Sequence, residues 1–181
     1  MSKTTEQFDS VVSNCREIFI KKMKDYGSSW RVLRLSSITD QLFIKANRIR
    51  TIQQKGESKI GDGVEGEFIA MVNYSLMALI QNELGEDGDP NMPLDEAVSF
   101  YDKYVTEAKG LMENKNHDYG EAWRDMRISS LDDLILVKLL RIKQIEDNGG
   151  HTLISEGVDG NYFDIFNYSV FALIKIGQGE S

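Results

Sequence analysis

Lys115-Asn116-His117-Asp118-Tyr119-Gly120-Glu121-Ala122-Trp123-Arg124 has an earlier counterpart in Lys22-Met23-Lys24-Asp25-Tyr26-Gly27-Ser28-Ser29-Trp30-Arg31. The correspondence continues outward from this stretch. Arg34 matches Arg127, Ser36 and Ser37 match Ser129 and Ser130, and Asp40 matches Asp133. Lys45, Arg48 and Ile49 then match Lys138, Arg141 and Ile142. After a one-residue length difference, Asn73-Tyr74-Ser75 matches Asn167-Tyr168-Ser169. Self-similarity of this extent marks a tandem duplication, and the fold follows from one unit used twice.

The unit reads as helical. Phe8, Val11, Val12, Cys15, Ile18, Phe19 and Met23 recur at three- and four-residue spacing, which lays an apolar face along a first helix. Gly27 suits the left-handed residue that ends it. A second helix starts near Ser37 and passes Arg48, and a third covers about 64–84. The second copy repeats them near 94–116, 130–147 and 157–176. Strand alternation and hairpin turns are missing. The expectation is an all-α bundle of about six helices, with the repeats related by a pseudo-two-fold axis. Residues 1–84 and 94–181 form the repeats. The linker between them, 85–93, is acidic and holds both prolines, Pro90 and Pro93.

Composition narrows the function classes. A formal net charge of -8 disfavours general nucleic-acid binding, which needs a basic field or a local basic patch. No apolar run approaches the roughly 20 residues that span a bilayer, and the opening residues lack signal-peptide character. Cys15 is the single cysteine, so neither an internal disulfide nor a thiolate zinc cluster is available, and it reads as a small core residue. A reducing cytoplasm is the expected compartment. Homo-oligomers are compatible with such a bundle.

Some recurring residues have structural readings. Trp30 and Trp123 suit core anchors. Ser37 with Asp40, and Ser130 with Asp133, have capping-box spacing. Lys138 and Arg141, like Lys45 and Arg48, lie one turn apart on one helix face. Their fixed partners are either internal carboxylates or a phosphate or carboxylate ligand. In the third helix of the second copy, Glu156, Asp159, Asp164 and Asn167 return to nearly one face counted from Glu156. Such a face suits Mg²⁺, which takes oxygen ligands and keeps waters for phosphates, or it is a solvated acidic surface. In the first copy Asp62, Glu65 and Asn73 remain, but Ala70 replaces Asp164. His117 and His151 are isolated and make no zinc site.

These motifs, together with Ser155-Glu156-Gly157 and Asp164-x-x-Asn167-Tyr168, resemble a bacterial and phage family, nucleotide modification associated domain 1. The resemblance covers nearly the whole chain as two copies. It implies a cytosolic, all-helical protein associated with nucleotide or base modification, and supplies no reaction. A looser, fold-level similarity links the chain to all-α nucleoside triphosphate pyrophosphatases, which hold Mg²⁺ on helical acids. Their Glu-Glu-x-x-Glu motif is absent here, and Asp164-x-x-Asn167 only approximates their Glu-x-x-Asp.

Beside a purely structural role, in which Lys138 and Arg141 pair internally with Asp133, Asp159 or Asp164, two functional expectations follow. In one, the chain is a nucleotide phosphohydrolase. Asp164, Asp159 and Glu156 hold Mg²⁺, while Asp164, Asp159 and Asn167 form the catalytic set. Lys138 and Arg141 neutralise phosphate, with Tyr119 or Trp123 stacking on the base. Lys115, Asp118 and Arg127, from the recurring motif, complete the ligand-binding set. In the other, the chain is a non-catalytic module for a nucleotide, a modified base or a protein partner.

Overall fold

Apolar spacing becomes six long helices in the computed structural model, which describes residues 2–56, 63–153 and 157–181. The first copy contributes α1 (Lys3–Tyr26), α2 (Leu35–Lys55) and α3 (Val64–Leu84). The second contributes α4 (Leu94–Tyr119), α5 (Ile128–Asp147) and α6 (Val158–Gly177). Short 3₁₀ turns at Ser29–Val32 and Ala122–Asp125 follow α1 and α4. The described residues contain no strand. None of their helices is long and apolar enough to cross a membrane.

Which helix sits in the middle follows from how much of its circumference is apolar. The face of α1 buries Phe8, Val12, Cys15, Phe19 and Met23, leaving its other side to solvent. By contrast, α6 is buried at nearly every position from Asn161 to Lys175, as a helix apolar on all sides must be. It packs most extensively on α3, its counterpart. α2 flanks α3, α5 flanks α6, and α2 meets α5, giving a four-helix centre. α1 and α4 lie against it, each touching both central helices.

Matched residues make matched bonds, which ties the duplication to a pseudo-two-fold arrangement. Asn73 Nδ2 donates to the Cys15 carbonyl at 3.1 Å, and Asn167 Nδ2 donates to the Ala108 carbonyl at 3.2 Å. Gln81 Nε2 donates to the Arg31 carbonyl at 3.0 Å, and Lys175 Nζ donates to that of Arg124 at 2.6 Å. The paired asparagines thus tie a central helix to an outer one in each half. Burial pushes the Cys15 thiol up to about 12, so it stays protonated at neutral pH and belongs to the core.

The capping expectation for Ser37 and Ser130 does not hold. α2 and α5 begin earlier, after Arg34 and Arg127 in extended conformation, and neither cap makes a side-chain bond. A residue of the linker supplies the missing acceptor for α2, where Glu86 Oε1 takes the Leu35 N–H at 2.6 Å. The linker is held rather than loose. Arg31, 7% exposed, bonds Gln81 and the Gly85 carbonyl, and its own carbonyl accepts from Gly88 N.

Candidate functional site

Three helices of the second copy bring their charges to one point. Lys115 lies in the last turns of α4, Lys138 in the middle of α5 and Asp164 in α6. Asp164 is largely buried, and its two carboxylate oxygens are divided between the lysines. Oδ1 accepts from Lys115 Nζ at 2.8 Å and Oδ2 lies 2.9 Å from Lys138 Nζ. The pairing offsets the cost of enclosing a carboxylate and fixes both ammonium groups.

This cluster forms part of the wall of two hollows. The first, about 810 Å³, is polar, and its lining includes Lys138, Arg141, Gln144, Asn148, His151 and Asn161. Arg141 is exposed there and pairs with no carboxylate among the described residues. The second is an aromatic slot of about 360 Å³ walled by Met112, Tyr119, Trp123, Met126, Tyr168 and Phe171. Asn167 also lines the slot. Its Nδ2 is committed to Ala108, while its Oδ1 is buried without a hydrogen-bond donor among the described residues.

Trp123 cannot offer an open face to a ring. Phe171 stacks on it with centroids 4.3 Å apart and planes 4° from parallel, while the Arg124 guanidinium sits 4.4 Å from its ring centroid. A parallel ring and a cation at such distances must occupy opposite faces. Tyr119, 76% exposed at the rim, is the residue with a face to give.

The first copy arranges the same charges differently. Lys45 Nζ lies 3.6 Å from Glu67 Oε2, and Arg48 donates to Glu67 Oε1. Glu67 aligns with Asn161, and Ala70 aligns with Asp164. The acid has moved by one helical turn between the copies. At the position of Glu67 it holds both bases of the Lys-x-x-Arg pair. At Asp164 it reaches the lysine of that pair and the lysine of the preceding helix, leaving the arginine.

The sequence-predicted residues separate accordingly. Lys115, Lys138, Arg141 and Asp164 share the polar hollow, while Tyr119, Trp123 and Asn167 line the slot. Asp118 faces His117, with Nδ1 3.2 Å from its carboxylate, and lines neither hollow; nor does Arg127, which precedes α5. Asp159 is exposed at the start of α6 and also lines neither. Five residues advance a helix by about 140°, so Asp159 and Asp164 diverge. Glu156 itself, like Asp62, falls outside the described residues.

Sequence reasoning missed Gln144, Asn148, His151 and Asn161. His151 has no counterpart in the first copy, so the repeat carries no signal for it. Asn161 could have been found from its alignment with Glu67. No three His, Cys, Asp or Glu side chains among the described residues are grouped to hold a metal. Both Asp164 oxygens already face ammonium groups, an arrangement of the described residues that suits an incoming anion better than Mg²⁺.

The family model for nucleotide modification associated domain 1 matches residues 22–82 and, separately, residues 115–176. The two matches carry the recurring motifs of both copies and together span about two thirds of the chain. No curated protein and no solved structure matches.

Proposed function

Because this chain belongs to the nucleotide modification associated domain 1 family, we propose that its C-terminal copy is a nucleotide-binding module. The phosphate enters the polar hollow against Arg141 and Lys138, and the base enters the slot beside Tyr119. The observation that carries this reading is the contrast between two aligned arginines. Arg48 is paired with Glu67, whereas Arg141 faces a cavity with Asn161 in place of that acid.

The chemistry of the two hollows supports a ligand with one anionic and one aromatic end. A guanidinium presents a planar set of donors that matches phosphate oxygens two at a time. Gln144 and Asn148 supply further donors around the same volume. On the other side of the Lys115–Asp164–Lys138 cluster, Met112, Met126 and Phe171 give the slot apolar walls suited to a flat ring. Asp164 acts in this reading as a positioning residue, holding two ammonium groups at the junction of the hollows.

The test is calorimetric titration of the full chain with nucleoside mono-, di- and triphosphates, with and without Mg²⁺, followed by product analysis. Saturable binding is expected without Mg²⁺. Arg141→Ala should weaken it at least about ten-fold, as loss of a charge-assisted phosphate contact does. Arg48→Ala should leave it unchanged. Absence of binding under either condition, or equal affinity in Arg141→Ala, would end the reading. Release of phosphate or pyrophosphate by the chain would make it an enzyme rather than a module.

A further inference from the structure

The first copy has its own cavity where the second has its slot, and the two differ in charge and size. It encloses about 650 Å³ against about 360 Å³. Lys22, Tyr26, Trp30, Ala70, Tyr74 and Met77 line it, aligned with Lys115, Tyr119, Trp123, Asp164, Tyr168 and Phe171. Tyr26 is 73% exposed at the rim, as Tyr119 is on its side.

The decisive difference is at Ala70. In the second copy Asp164 supplies the counter-charge for Lys115 from inside the structure. Ala70 supplies none, and Lys22 meets no carboxylate among the described residues although it is exposed at the cavity. The Lys-x-x-Arg pair of this half, Lys45 and Arg48, is already held by Glu67. An apolar and aromatic chamber is therefore left with one cation whose counter-charge the alignment says is missing. In addition, the buried indole Nε1–H of Trp30, like that of Trp123, has no acceptor among the described residues.

We propose that this N-terminal cavity binds an aromatic molecule bearing a single anionic group, a carboxylate or a phosphate. The anion takes the place beside Lys22 that Asp164 fills beside Lys115. Its ring occupies the volume that Ala70 opens between Tyr26, Tyr74 and Met77. One cation balances one charge, so polyanions gain nothing further here, and a neutral ring leaves Lys22 without a counter-charge. The two copies would then bind different ligands, and the proposal does not depend on the nucleotide reading of the C-terminal site.

The chain's two tryptophans separate the sites. In the full-length Trp123→Phe variant, Trp30 is the remaining tryptophan and reports on the N-terminal cavity. It is titrated with adenosine monophosphate, with benzoate, and with the neutral controls adenosine and benzamide. A saturable change in Trp30 emission is expected for at least one of the anionic rings, about ten-fold tighter than its neutral control. Which of them saturates identifies phosphate or carboxylate as the source. Ala70→Asp should abolish the response by rebuilding the internal counter-charge. Lys22→Gln, at an exposed position that cannot compromise folding, should weaken it about ten-fold. No saturation up to millimolar probe, equal affinity for charged and neutral rings, or an unchanged response in Lys22→Gln would overturn the proposal. The Trp30→Phe variant, read through Trp123 and combined with Arg141→Ala, tests the C-terminal site alone.

Discussion

The two halves share a backbone plan and differ in where they keep their unpaired groups. In the first, Glu67 holds Lys45 and Arg48 together, so the basic pair closes on itself. The second places its acid one turn further along, between Lys138 of the pair and Lys115 of the preceding helix, and Arg141 is left to a cavity. A second contrast lies between α2 and α5. Thr39 bonds the Leu35 carbonyl at 3.0 Å and the Tyr162 hydroxyl at 2.8 Å. Its counterpart Asp132 is fully buried, and neither of its oxygens has a hydrogen-bond partner among the described residues. The residue aligned with Tyr162 is Phe68, which has no hydroxyl to offer. Duplication fixes the positions of helices, whereas satisfaction of polar groups depends on pairs of residues that have diverged separately.

The largest effect should come from Asp132. Burial, with Asp133 adding to it, pushes its carboxyl up to about 8. The folded chain holds this proton up to that pH, while the unfolded chain releases it near pH 4. Stability therefore falls as pH rises across the window and levels off above it. Asp132→Asn removes this dependence. Urea denaturation should show the variant gaining on the parent by about 3 kcal/mol between about pH 5 and pH 8. A difference that is the same at both pH values would mean that the carboxylate has found a partner, and the contrast with Thr39 would fail.

Next in size is the conversion of one half into the other. Asn161→Glu places an acid where Glu67 stands in the first copy, within reach of Lys138 and Arg141 by the same geometry. Closing the basic pair should weaken nucleotide binding by about a hundred-fold, the combined loss of a guanidinium contact and gain of a repelling carboxylate. Thermal stability should be unchanged or slightly raised. Titration of parent and variant side by side measures it. Unchanged affinity would show that the one-turn shift of the acid has no bearing on the cavity.

Much of this was legible in the residues themselves. The recurrence of Asp-Tyr-Gly, Trp-Arg and Lys-x-x-Arg established the duplication, and apolar spacing gave the six helices because burial enforces a local period. Other features depend on contacts between distant segments. The capping of α2 by Glu86 crosses 51 residues, so a local Ser-x-x-Asp pattern could not compete with it. Of the two stacking candidates, Tyr119 rather than Trp123 keeps an exposed face, because Phe171 and Arg124 already cover the indole. Grouping Asp159 with Asp164 compared each with Glu156 and never with the other. The alignment recorded that Ala70 replaces Asp164. It needed one more step, Glu67 against Asn161, to show that the acid is relocated rather than lost.

The smallest effect tests the inter-helix clamps. Asn73 Oδ1 accepts from the Tyr101 hydroxyl at 2.8 Å, whereas the same atom of Asn167 is buried without a donor. Phe8 is aligned with Tyr101 and is itself fully buried, packing edge-on against Phe166 next to Asn167. Phe8→Tyr should place a hydroxyl where the pseudo-symmetry puts one. A buried acceptor that gains its donor stabilises by about 1 kcal/mol, against the cost of fitting one oxygen into a packed core. Urea unfolding should therefore shift upward modestly, and Tyr101→Phe should shift it down by a similar amount by orphaning Asn73. If Phe8→Tyr destabilises while Tyr101→Phe also does, the two clamps have diverged in backbone spacing as well as in side chains. The pseudo-two-fold would then stop short of the outer helices.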